Sequence, residues 1–145
     1  MIRILFKSIS IIPWPILRFI SWVLGHLAIL LNVSAYKVTK KNLTYCGFND
    51  EKLIKKSFLN TMELLFEYPY IWGNPNNYKK LVENPEDIVQ DANPKIFMTM
   101  HMGCVDVMLF LISEKNNGIN ILYTPAKNKN IEKATKESRS EKGAK

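Results

Sequence analysis

Lys95-Ile-Phe-Met-Thr-Met100, His101-Met-Gly-Cys-Val-Asp106, Val107-Met-Leu-Phe-Leu-Ile-Ser113 and, after Asn116-Asn-Gly118, Ile119-Asn-Ile-Leu-Tyr123 form the stretch on which the fold turns. The short apolar run 95–100 reads as a buried strand, and Gly103 to Ser113 reads as a helix. Asn116-Asn-Gly118 is a turn, and Ile119 to Tyr123 reads as a second strand. A loop over Pro125 to Asn130 leads to a polar helix from Ile131 to Lys142. Strand, helix, strand, helix predicts a parallel α/β unit. Ligands of such sheets bind beyond the carboxyl ends of the strands, where His101 and Thr124 fall.

His101 and Asp106 lie five residues apart, and the chain has only two histidines. A neutral imidazole beside a carboxylate is the minimum equipment for removing a proton from a hydroxyl. At a helix start the positive dipole end disfavours imidazolium, which keeps the ring a base. A carboxylate bonded to it fixes the tautomer. Gly103 would let a substrate approach the backbone, and Arg139 could stabilise an oxyanion or bind phosphate. Each residue also has a plain reading. His101 can be a structural histidine, Asp106 a helix cap, Arg139 a solvated charge, and Cys104 a small core residue rather than a nucleophile.

Upstream, Ile9 to Val33 holds one formal charge, Arg18. Three readings compete for it: a membrane-spanning anchor, an apolar helix lying in the interface, and a cleaved signal peptide. Pro13 and Pro15 place the helix start near Pro15. Residues 1–35 are thus expected to anchor residues 36–145. Ser34 can cap a helix to about Tyr45 that Gly47 ends, and Asn49 or Asp50 can cap a second carrying Ile54, Phe58, Met62, Leu65 and Phe66. A short helix or turn region is expected through Leu81 to about Asp91.

The net charge of +7 is concentrated at the ends: six bases and no acid in residues 1–41, seven bases and three acids in residues 127–145. A basic end beside an apolar run points to an anionic membrane surface before nucleic acid. Lys37, Lys40 and Lys41 after the run argue for a cytoplasmic carboxy-terminal side, and Arg3 and Lys7 weigh against it. Cys46 and Cys104 make neither a disulfide framework nor, with two histidines, a zinc set.

Together these residues resemble the lipid A biosynthesis acyltransferases that add lauroyl or myristoyl chains to lipid A precursors. Lys40-Lys-Asn-Leu43 with Cys46 and Phe48 resembles the family's basic-Asn-Leu and Cys-Phe-Pro region. Glu67 and Trp72 resemble its Glu and Trp after the long helix. His101-Met-Gly-Cys-Val-Asp106 resembles its His-x-Gly-Asn-Trp-acid signature, with Cys104 and Val105 in place of Asn and Trp. Tyr123-Thr-Pro125 with Lys127-Asn128 resembles a Tyr-Arg-Pro-x-Lys-Asn element, with Thr124 in place of Arg. Arg139 with Gly143 resembles an Arg-x-x-x-Gly element.

The resemblance implies an amino-terminal membrane helix followed by an incomplete, mainly parallel α/β acyltransferase-like sheet, an amino-terminal portion of the family's length. It implies transfer of a fatty acyl chain from acyl carrier protein to a hydroxyl of a lipid A precursor at the bacterial inner membrane, on its cytoplasmic side. His101, Asp106 and Arg139 would be the site residues, with no metal or redox cofactor. Membrane lipid, the lipid A precursor and acyl carrier protein would be the partners, and no nucleic acid. The strand candidates 95–100 and 119–123 cannot by themselves complete a well-covered parallel sheet, so these 145 residues alone are expected to be inactive. A non-catalytic membrane-associated remnant and a glycerolipid acyltransferase are the alternatives.

Overall fold

The structure, a computed structural model, describes residues 2–83, 96–98, 103–116 and 118–143. Its elements are α1 (Ile2–Ile11), α2 (Trp14–Leu30), α3 (Ser34–Tyr45), α4 (Glu51–Gly73), a 3-10 helix (Pro75–Lys80), α5 (Val105–Lys115) and α6 (Lys129–Glu141). They form two compact units, one of residues 13–66 and one of residues 1–12 with 67–145.

In the unit of residues 13–66, Pro13 precedes α2 and Pro15 sits in its first turn, where a missing N–H costs no helix bond. Asn32 ends the helix in the left-handed region, at φ +49°. Val33 N–H reaches Ala28 O (3.1 Å) and Asn32 N–H reaches Ile29 O (3.0 Å), which satisfies the last carbonyls. Gly47, at φ +87°, ends α3 in the same way: Phe48 N–H bonds Leu43 O and Gly47 N–H bonds Thr44 O. Ser34 is the first helical residue of α3 rather than its cap, for Val33 holds that position without a side-chain bond. Asp50 caps α4 by accepting from Lys52 N–H at 2.9 Å.

The core here is Tyr36, Ile54 and Phe58, with Ala28, Ile29, Val33, Leu43 and Met62 packed against it. Tyr36 meets Phe58 edge-on at 5.3 Å. α2 buries Leu17, Ser21 and Gly25, four residues apart, so its packed stripe is built largely from small residues. A Cβ on Gly25 would lie 2.6 Å from Leu59 Cδ2. The large apolar residues Phe19, Trp22, Leu24, Leu27 and Leu30 are exposed.

In the other unit, Gly73 ends α4 against α1, and a Cβ there would lie 2.0 Å from Phe6 O. Asn77, in the 3-10 helix, is buried and donates through Nδ2 to Ser10 O (2.9 Å) and Tyr70 O (3.3 Å). The Tyr78 ring meets Phe110 of α5 at 6.1 Å, and its hydroxyl bonds Glu114. Glu114 also takes Lys79 at 2.6 Å. Asn128 caps α6 through Asn130 and Ile131 N–H. That helix buries Ala134, Thr135 and Ser138.

Two expectations are corrected. There is no strand among the described residues, so the α/β sheet is not present in them. Ile96–Met98 are irregular, and the rest of the expected strand 95–100 lies outside the described residues. Residues 119–123 are irregular apart from a single bridge at Ile119. Apolar composition says that a segment avoids water. It does not supply the neighbouring backbone that a ladder needs. Ile96 (93%), Met98 (93%) and Leu122 (105%) instead stand exposed.

The second correction concerns the apolar run 9–33. It is broken at Ile12–Pro13 into α1 and α2, and no single helix is long and apolar enough to cross a membrane among the described residues. Pro13 removes a backbone donor and Pro15 a second, so one helix cannot continue through both. Only taken together, across the break, do the two reach the length and apolar character of a membrane span. The turn or helix expected through Leu81 to about Asp91 lies, from residue 84 on, outside the described residues.

Candidate functional site

Asp106 is the second residue of α5 and is fully buried, at 0% exposure. Its placement follows from the local sequence. Cys104 is the extended residue that precedes the helix, so the carboxylate sits in the first turn, where the dipole favours negative charge. Phe110, Leu111 and Ile112 bury the same helix.

A buried carboxylate needs partners, and two other helices provide them. Trp72, in the last turn of α4, donates its indole Nε1–H to Oδ2 at 2.7 Å. Arg139, in the last turn of α6, donates Nε–H to Oδ1 at 2.7 Å. The Arg139 side chain is 18% exposed, so the pair is largely shielded from water. One carboxylate thereby joins α4, α5 and α6 through charge-assisted bonds. The Tyr123 ring lies 5.3 Å from the Arg139 guanidinium carbon. Its hydroxyl is anchored to Glu132 Oε1 at 2.7 Å, and Glu132 also accepts from Ala126 N–H.

The indole is itself held. Phe6 of α1 lies 5.6 Å from it and Tyr68, one turn back on α4, lies 5.1 Å away. Burial, with Cys104 and Asp106 nearby, raises the Tyr68 hydroxyl above its ordinary value. Burial pushes the half-buried Cys104 thiol up to about 12, with the Glu67 and Asp106 charges adding to it. A thiol so shifted is protonated near neutrality. It is a small packing group, since the thiolate is the nucleophile.

The expected site residues are thus distributed as follows. Asp106 and Arg139 are brought together, and His101 lies outside the described residues. Arg139 is neither solvated nor loosely held. The residue missed as a partner of Asp106 is Trp72. Its place after the long helix was visible, but 34 positions separate it from Asp106. Tyr123 was likewise visible as a strand residue and in the Tyr123-Thr-Pro125 motif, but not as a neighbour of Arg139. A cleft of about 210 Å³ next to Trp72 is lined by Arg3, Lys7, Glu137 and Glu141. Arg3 and Glu137 pair at 2.9 Å, so opposite charges in the cleft satisfy each other.

A family model for the bacterial lipid A biosynthesis acyltransferases matches residues 1–145. No curated protein and no solved structure matches the chain.

Proposed function

Since the chain belongs to the bacterial lipid A biosynthesis acyltransferase family, we propose that it carries the part of such an enzyme that activates the acceptor hydroxyl. The donor in this reading is a fatty acyl thioester of acyl carrier protein, and the acceptor is a hydroxyl of a lipid A precursor. His101 takes the hydroxyl proton while the oxygen attacks the thioester carbonyl. The C–O bond forms, the oxyanion collapses, and the carrier thiolate leaves and takes the proton back from His101. Asp106 orients His101 and stabilises the imidazolium. Arg139, next to Asp106, supplies positive charge toward the developing oxyanion. The reaction as written uses no metal or redox cofactor.

The observation that carries this reading is the buried Asp106 carboxylate, pinned from two sides five residues after His101. A carboxylate so held orients a neighbour better than it shuttles protons with water. The enzyme works at the inner membrane with this site on the cytoplasmic side, lying in the interface through its exposed apolar helix faces. The basic ends suit an acidic carrier and an anionic lipid. One feature favours a non-catalytic, membrane-associated role instead: Thr124 removes a cation at the place where the family pattern has Arg.

The test is acyl transfer from acyl carrier protein to a lipid A precursor by the purified full chain. Product that falls about 10²–10⁴-fold in His101→Ala supports the dyad. Equal turnover by folded His101→Ala rejects it.

A further inference from the structure

We propose that Trp72 is a positioning residue for the reaction, acting through Asp106; this rests on the reading above. A carboxylate offers about four lone-pair directions on its two oxygens. Arg139 reaches Oδ1 through Nε alone, and one such bond leaves the carboxylate free to turn about Cβ–Cγ. The second bond, from Trp72 Nε1–H to Oδ2, removes that freedom. It leaves lone pairs on both oxygens for a third donor. Asp106 is fully buried, so water does not take over the place of a lost donor.

An indole suits this task. It donates and cannot accept, and it does not titrate. A carboxylate held by Trp72 cannot therefore be reoriented by a change in the charge of its partner. Among the described residues near it, Tyr68 and Cys104 are both raised by burial, the Glu67 charge adding to each, and the Arg139 guanidinium lies over the Tyr123 ring. The ring is braced by Phe6 and Tyr68, and the tight Gly73–Phe6 backbone approach fixes the turn that carries it. The indole direction is thus set by packing from α1 and α4 rather than by its own rotamer alone.

Two variants test this in the full chain. Trp72→Phe removes the donor and some volume. Benzothienylalanine at position 72 keeps the shape and replaces N–H by sulfur. Two readouts go beyond folding. The first is the ¹⁵N spectrum of the two histidine rings, with His26, bonded at Nδ1 to Trp22 O, as internal reference. The native chain is expected to hold His101 in one tautomer, and both variants to mix its tautomers as Asp106→Asn does, with His26 unmoved. The second is acyl transfer, where both variants are expected to lose about tenfold in kcat with KM unchanged. A folded benzothienylalanine chain with a native His101 spectrum and native kcat would overturn the proposal. If the native chain makes no product, the tautomer spectrum decides alone whether Trp72 positions the acid. Equal turnover by His101→Ala would instead overturn the functional reading and leave the spectrum standing.

Discussion

At the scale of single residues, Asp106 and Cys104 illustrate how burial separates two groups two positions apart. The carboxylate is fully buried yet carries two donors, one of them a guanidinium, so its charge is compensated. Among the described residues no such cation offsets the thiol's burial, which pushes it up to about 12. Cys46 is exposed on the other unit. Iodoacetamide at pH 8 should therefore label Cys46 and spare Cys104 in the folded chain, with both labelled in denaturant. Mass spectrometry of the peptides checks this, and rapid native labelling of Cys104 would contradict the burial. Cys104→Ser should leave turnover largely intact.

At the scale of elements, helix ends were mostly legible and strands were not. Asp50, Gly47 and the two prolines act on neighbours within about one turn, so their effect travels with the sequence. Asn128 caps α6 by the same local rule, and the helix accordingly starts earlier than Ile131. Pro69 lies inside α4, which continues past it to Gly73. Where that last turn meets α1 there is no room. Gly73→Ala would press a methyl onto Phe6 O, a backbone atom that cannot rotate away. The expected cost is about 1–3 kcal/mol or more. It should be read as a lower unfolding midpoint together with faster amide exchange in α1. An unchanged midpoint would show that α1 is not seated on Gly73.

At the scale of the whole molecule, each of the two units exposes an apolar helix face. On α2, Phe19, Trp22, Leu27 and Leu30 are about half exposed or more, and on α1 Ile4, Leu5 and Ile11 are too. Single exposed apolar residues are ordinary, but a helix that buries Ser21 and Gly25 and exposes these is inverted for water. Lys37, Lys40 and Lys41 follow on α3. Association with anionic vesicles is the expected outcome, weakened by salt. Burying one Phe or Leu contributes about 1.5–3 kcal/mol, so Phe19→Asp with Leu27→Asp should weaken cosedimentation on the order of 10²-fold. Undiminished binding of the double variant would place the membrane contact elsewhere.

What the sequence by itself determined is what depends on near neighbours: where most helices start and stop, the acid five residues after His101, and the ordered motifs that point to the acyltransferase family. What only the tertiary structure decided is what depends on distant partners. A strand exists only when another backbone lies alongside it, so Ile119 to Tyr123 reads the same on the page whether or not it pairs. Trp72 and Arg139 lie 34 and 33 positions from Asp106. They converge there because three helices pack around a carboxylate that cannot be buried without donors.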